Sequence, residues 1–165
     1  VAMASTGEVG CLGFDMEEAL LTALRSVGLR LEQKTALVST GPPETKAAFL
    51  PVVMKLGAMG YRFYATAGTA RFLRSNGIRV ETLRWPLEGG TPNCLEYLRS
   101  GKIGLVINIP KNNEEEELSN DYLIRRGAID HEIPLLTNLR LTERLVEALE
   151  VADFDHLPVR EWQEY

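Results

Sequence analysis

Two hydroxyls three positions apart flank a glycine in Thr66-Ala67-Gly68-Thr69-Ala70, directly after a β-type run at Arg62 to Ala65. At a helix start, such hydroxyls and the free backbone N–H groups can hold a carboxylate or a phosphate, and they can equally cap the helix. A second group, Asn108-Ile109-Pro110-Lys111-Asn112-Asn113, brings amides and one ammonium to the end of the apolar run Leu105-Val106-Ile107. An amide inside an apolar strand has to be hydrogen-bonded, so Asn108 requires a partner, either a neighbouring loop or a ligand. Lys46 follows the Thr40 to Pro43 turn and can carry positive charge to the same rim; the competing reading is a solvated lysine at a helix start. Trp85, in Leu83-Arg84-Trp85-Pro86, either walls a pocket or covers the edge of the core.

Catalytic groups are scarce. The two cysteines, Cys11 and Cys94, form no CxxC pair, and the two histidines, His131 and His156, have no metal-ligand spacing around them. Ser-His-Asp or Cys-His chemistry would have to be assembled from one of those two histidines, which argues against a hydrolase. Acids on the ligand-side loops are limited to Asp121 and Asp130, and no glycine-rich phosphate loop is present. Arg125 and Arg126 are adjacent on a helix and point apart, so they do not read as one clamp. The Glu114 to Glu117 run reads as a solvated loop, since a metal site would need spaced acids around it.

The elements that must position these groups alternate regularly. Val9 to Phe14 reads as a strand or strand-like lead-in, followed by a helix capped by Asp15, with Met16, Leu20, Ala23, Leu24 and Val27 on one stripe and Gly28 as its stop. Strands are expected at Thr35–Ser39, Arg62–Ala65, Val80–Leu83, Leu105–Ile109 and Leu135–Thr137. Helices are expected after Pro43, with Phe49, Leu50, Val53, Met54 and Leu56 buried and Pro51 in an early turn or kink, then at Thr69–Ser75, Pro92–Arg99, Tyr122–Ile129 and around Leu141 to Ala152. This alternation predicts an α/β sandwich around a mainly parallel sheet, whose ligands collect beyond the carboxyl ends of the strands.

The 165 residues are the size of one ordinary domain, and Lys+Arg 18 against Asp+Glu 23 leaves a net charge of −5. Such a balance excludes the basic face that nucleic acid requires. No apolar run approaches a membrane span, and the chain begins without the pattern of a targeting signal. Residues 153–165 lose the apolar period and read as a tail, which Trp162 and Tyr165 could dock.

Several blocks together resemble a known family: Ser5-Thr6-Gly7-Glu8-Val9, Tyr64-Ala65-Thr66-Ala67-Gly68-Thr69-Ala70, Leu105-Val106-Ile107-Asn108, Leu123-Ile124-Arg125-Arg126-Gly127-Ala128 and Ile133-Pro134-Leu135-Leu136-Thr137-Asn138. Their order and spacing, from Ser5 to about Ala152, are similar to the methylglyoxal-synthase-like C-terminal domain of the carbamoyl phosphate synthetase large chain. The resemblance implies a three-layer α/β sandwich with a five-stranded parallel sheet. It also implies a junction at 1–7, the regulatory domain at 8–152 and a tail at 153–165. Such a domain is non-catalytic and holds no cofactor; the parent ligase uses ATP with Mg or Mn. The domain binds a small anionic effector and acts on the catalytic domains of the same parent chain.

Within that family the sequence resembles the N-acetylglutamate-responsive branch, through Trp85-Pro86, the Asn108 loop and the Ile133 to Asn138 block. The implied effector contacts are Thr66, Thr69, Trp85, Asn108, Lys111, Asn112 and Asp121, or Asn120 after a one-residue shift. Lys46 aligns with a phosphate-binding lysine of the nucleotide-responsive branch. Lys111 and Asp121 depart from the branch, which has asparagines there. Alternatives are a regulatory domain that binds UMP, UTP or phosphoribosyl pyrophosphate, and a methylglyoxal synthase-type lyase. The implied location is the mitochondrial matrix for a urea-cycle type and the cytoplasm otherwise.

Overall fold

The computed structural model describes residues 9–109 and 115–164. Residues 31–143 form one compact unit, and the described parts of 1–30 and 144–165 form a second.

The larger unit is built on five strands: β1 (Thr35–Thr40), β2 (Arg62–Thr66), β3 (Val80–Leu83), β4 (Leu105–Ile109) and β5 (Leu135–Leu136). All pairings are parallel and the spatial order is β3-β2-β1-β4-β5. The chain runs outward from β1 to β3, then crosses back to β4 and outward again to β5. The order therefore reverses between β1 and β4. Right-handed crossovers put α2 (Pro43–Ala58) and α3 (Ala67–Ser75) on one face of the sheet, and α4 (Cys94–Arg99) and α5 (Glu115–Asp130) on the other. The side chains agree: Tyr64 packs with Cys94, Leu98, Ile124 and Ala128, whereas Phe63, one residue earlier, lies against Gly57 of α2. The expected sandwich is thus observed in three layers, with a sheet that is wholly parallel.

Central strands covered on both faces cannot alternate polar and apolar residues. Every residue of β1 is buried, and Ala36, Leu37 and Val38 are fully so. Local chemistry sets the boundaries. Asn93, whose carboxamide oxygen accepts from the N–H groups of Leu95 (2.9 Å) and Glu96 (3.2 Å), starts α4 at Cys94 rather than at Pro92. Gly104 enters β4 against the segment that leads into β1: a Cβ there would lie 2.2 Å from the carbonyl oxygen of Gln33.

Other expectations shift for physical reasons. Pro51 lies well inside α2, exposed, where the N–H it lacks costs one intrahelical bond without ending the helix. The same helix buries Phe49, Val52, Val53 and Leu56 and leaves Met54 57% exposed. Glu115 to Glu117 lie in the first turn of α5 rather than in a loop.

In the smaller unit, α1 (Met16–Ser26) is capped as expected by Asp15, whose carboxylate accepts from the Glu18 N–H at 2.7 Å. Its buried residue is Leu21, while Met16 and Val27 stay exposed. Val9 to Gly13 have no strand partner and no regular structure. The expected tail carries a turn of 3₁₀ helix at Phe154–His156 with Phe154 buried. Arg25 donates to the carbonyls of Phe154 and Asp155, both at 3.2 Å, and Arg160 pairs with Glu18 while its guanidinium lies 4.5 Å over the Phe14 ring. Docking by Trp162 and Tyr165 lies outside the described side chains. The final helix, α6 (Leu139–Val151), contributes residues to both units. Among the described residues, no helix is long and apolar enough to cross a membrane.

Candidate functional site

The strand order reverses between β1 and β4, and in open α/β sheets ligands collect beyond the carboxyl ends of the strands at such a point. Ser39 pairs with Asn108, and Thr40 with Ile109, at that edge. Thr66 closes the adjacent strand β2, and α3 begins at the next residue.

The hydroxyls meet across β1. Thr66 occupies the cap position of α3 without capping it; its hydroxyl instead donates to Ser39 Oγ at 3.3 Å. Thr69 Oγ1 accepts from the Thr40 N–H at 3.2 Å and lies 3.5 Å from the Thr40 carbonyl. Both threonines thus tie the start of α3 to the end of β1, and the capping reading is corrected. Ser39, Thr40, Thr66 and Thr69 are all nearly inaccessible to solvent.

On the α5 face the demand made by Asn108 is met. The residue is fully buried; its Nδ2 donates to Asp121 Oδ1 at 2.7 Å, and its Oδ1 accepts from Arg125 Nη1 at 2.8 Å. Asp121 and Arg125 are one helical turn apart, so both side chains reach the same strand end. Bonds to charged groups are the stronger kind, and each end of the amide meets a side chain able to carry charge. Asn120 serves a different function: its Oδ1 accepts from the Leu87 N–H at 2.9 Å, fastening the segment after Trp85 to α5. Arg126 faces outward and pairs with Asp130 at 2.8 Å, so the two arginines do diverge.

The other sequence candidates are distributed around this edge. Trp85 is half-buried and packs against the cluster that includes Leu37, Tyr64, Leu83 and Val106. Lys46 lies near the amino end of α2, half-buried, with its N–H on the Pro42 carbonyl at 3.1 Å. Lys111 and Asn112 lie outside the described residues. The structure adds Ser39, Thr40 and Arg125 to the cluster. A signal for Arg125 was present in its i, i+4 spacing from Asp121 on a helix that follows the asparagine strand. Ser39 and Thr40 carry no local signal, because what makes them part of a site is the pairing of β1 with β4.

Nucleophilic chemistry finds little support in the described groups. Cys94 is buried, which pushes its thiol up to about 12 with a further contribution from Glu88, so the thiolate is not populated near neutrality. Among the described residues no three His, Cys, Asp or Glu side chains gather as a metal set. A cavity of about 490 Å³ lined by Gly90, Thr91, Asn93, Glu96 and Arg99 shares no residue with the strand-end cluster. What the cluster offers is hydroxyl, amide and guanidinium donors beside a helix amino terminus.

Fold and site together define a parallel α/β domain with a cluster of buried polar side chains at its switch point. Residues 48–137, more than half of the chain, match the model of the MGS-like domain, and the chain belongs to that family. It is 41% identical over 157 residues to "Multifunctional protein pyr-3" of Neurospora crassa, covering 90% of this chain and 9% of that one. It is 34% identical over 174 residues to "Multifunctional protein CAD" of Squalus acanthias, covering 97% of this chain and 8% of the relative. The human "Carbamoyl-phosphate synthase [ammonia], mitochondrial" is 37% identical over 152 residues, covering 90% of this chain and 10% of that protein. The chain spans about a tenth of the length of these relatives.

Proposed function

We propose that this chain is the allosteric effector-binding domain of a carbamoyl phosphate synthetase, binding a small anionic effector and regulating carbamoyl phosphate synthesis by the catalytic domains of its parent chain. The observation that carries this reading is the cluster of donors at the switch point: Thr66, Thr69 and Asn108 converge on the ends of β1 and β4 beside the amino terminus of α3. With an overall charge of −5, an anionic ligand has to be held by such local donors. N-acetylglutamate is the favoured effector. Relatedness to the ammonia-type synthase and the Trp85-Pro86 and Asn108 blocks support it. Lys46, Lys111, Asn112 and Asp121 complete the proposed set, and a mitochondrial location follows if this effector is correct.

Regulation is linkage. An effector that binds one state of the synthetase tenfold more tightly than another shifts their balance by about 1.4 kcal/mol. Similarity to the multifunctional proteins favours a second reading, in which UMP, UTP or phosphoribosyl pyrophosphate is the effector and the compartment is the cytoplasm. Calorimetric titration of the chain with N-acetylglutamate and these three compounds separates the readings. Heat from N-acetylglutamate alone supports the first, and heat from the phosphorylated compounds alone supports the second. Folded protein that binds none of the four refutes both.

A further inference from the structure

Five threonines among the described residues are buried: Thr35, Thr40, Thr66, Thr69 and Thr142. Four have partners for their hydroxyls. Thr35 Oγ1 accepts from the Gly104 N–H, Thr66 donates to Ser39, Thr69 bonds to the Thr40 backbone, and Thr142 donates to the Asn138 carbonyl. Thr40 is the exception. It is 1% exposed, and its Oγ1 has no hydrogen-bond partner among the described residues. A buried hydroxyl left in this condition is costly, and each such case in a folded protein calls for a physical explanation.

Position supplies one. Thr40 is the last residue of β1 and pairs with Ile109 at the switch point. Its own backbone is bonded by Thr69 in the first turn of α3, where the helix dipole favours negative charge. Valine has nearly the same volume, suits a strand at least as well and brings no hydroxyl to satisfy. Val38, two residues earlier on the same face of β1, is such a residue. The protein's own contacts therefore disfavour a threonine at position 40, and an acceptor supplied by a ligand would offset that cost.

We propose that Thr40 is a specificity-determining residue of this site, its hydroxyl donating to an anionic oxygen, of a carboxylate or a phosphate, on the effector. This rests on the effector-site reading above, which did not include Thr40.

The test compares the 165-residue chain with its Thr40→Val and Thr40→Ser variants. Calorimetry with N-acetylglutamate, UMP and inorganic phosphate measures binding, and thermal melting without ligand measures stability. Thr40→Val is expected to weaken the bound probe roughly ten- to hundredfold, the range for a hydrogen bond to a charged group, while melting is unchanged or slightly raised. Thr40→Ser is expected to stay within about threefold of the original affinity, because the hydroxyl remains. Response confined to N-acetylglutamate assigns the oxygen to a carboxylate, and response to UMP or phosphate assigns it to a phosphate. Two outcomes overturn the assignment of Thr40 alone: Thr40→Val binding the probe as tightly as the original chain, or melting several degrees lower with no ligand present. If the unmodified chain binds none of the probes, the effector-site reading fails and this inference falls with it.

Discussion

Replacing Asn108 by leucine tests whether the strand-end amide is held by the protein itself. The side chain is fully buried and makes two bonds to ionisable partners, Asp121 at 2.7 Å and Arg125 at 2.8 Å. A hydrogen bond to a charged group contributes about 1.5–3 kcal/mol, so losing both removes about 3–6 kcal/mol. Burying the leucine side chain returns about 1.5–3 kcal/mol. The net cost is about 2 kcal/mol, which for a domain of this length lowers the melting midpoint by roughly 4–8 °C. Scanning calorimetry of the ligand-free chain measures it directly. A double-mutant cycle with Asp121→Leu isolates the pair and is expected to give a coupling of at least about 1 kcal/mol, because each single change disturbs the same buried carboxylate–amide contact. A midpoint for Asn108→Leu within about 2 °C of the original chain, with additive double-mutant energies, would refute the reasoning and leave Asn108 as a ligand contact only.

Three further outcomes follow from the same physics. In the folded chain at pH 8, a thiol reagent is expected to modify Cys11 and spare Cys94, which burial keeps protonated; unfolding should release the second thiol, and equal native rates for both would contradict this. Gly104→Ala would place a Cβ 2.2 Å from the Gln33 carbonyl oxygen and is expected to destabilise by about 2 kcal/mol, read as a fall in denaturation midpoint. The Asp153 carboxyl is held below the ordinary aspartate value of 3.8, chiefly by its side-chain hydrogen bond with His156 and then by the Asp155 N–H. Its contribution to stability is therefore present above that value and is lost as pH falls through the lower folded one; carboxyl titration by NMR should show a depressed midpoint that rises in His156→Ala.

Much of the sheet is legible in the sequence because local composition and global position agree there. Leu105 to Ile109 is apolar enough to be covered on both faces, and Asn108 stands out inside it as an amide that must be bonded. Short apolar runs are weaker guides. Val9 to Phe14 has the composition of a strand but no neighbour to pair with, so it stays irregular. In α1 the expected stripe omits Leu21, since several apolar residues can form a helical face and packing alone decides which one is buried. The site divides in the same way. Thr66, Thr69 and Asn108 could be chosen from type and position after a strand. Ser39 and Thr40 enter it only because β1 lies beside β4, about seventy residues away in the chain, a juxtaposition that no local pattern encodes.

The central claim is that an anionic effector binds at the carboxyl ends of β1, β2 and β4. Two-dimensional NMR of the isotopically labelled chain during titration with N-acetylglutamate tests it most directly. Saturable shifts are expected at the backbone amides of Ser39, Thr40, Thr66, Thr69 and Asn108 and at the Asn108 side-chain amide. The absence of any shift with N-acetylglutamate, UMP, UTP or phosphoribosyl pyrophosphate would contradict the account, as would shifts confined to the cavity beside Gly90 and Arg99.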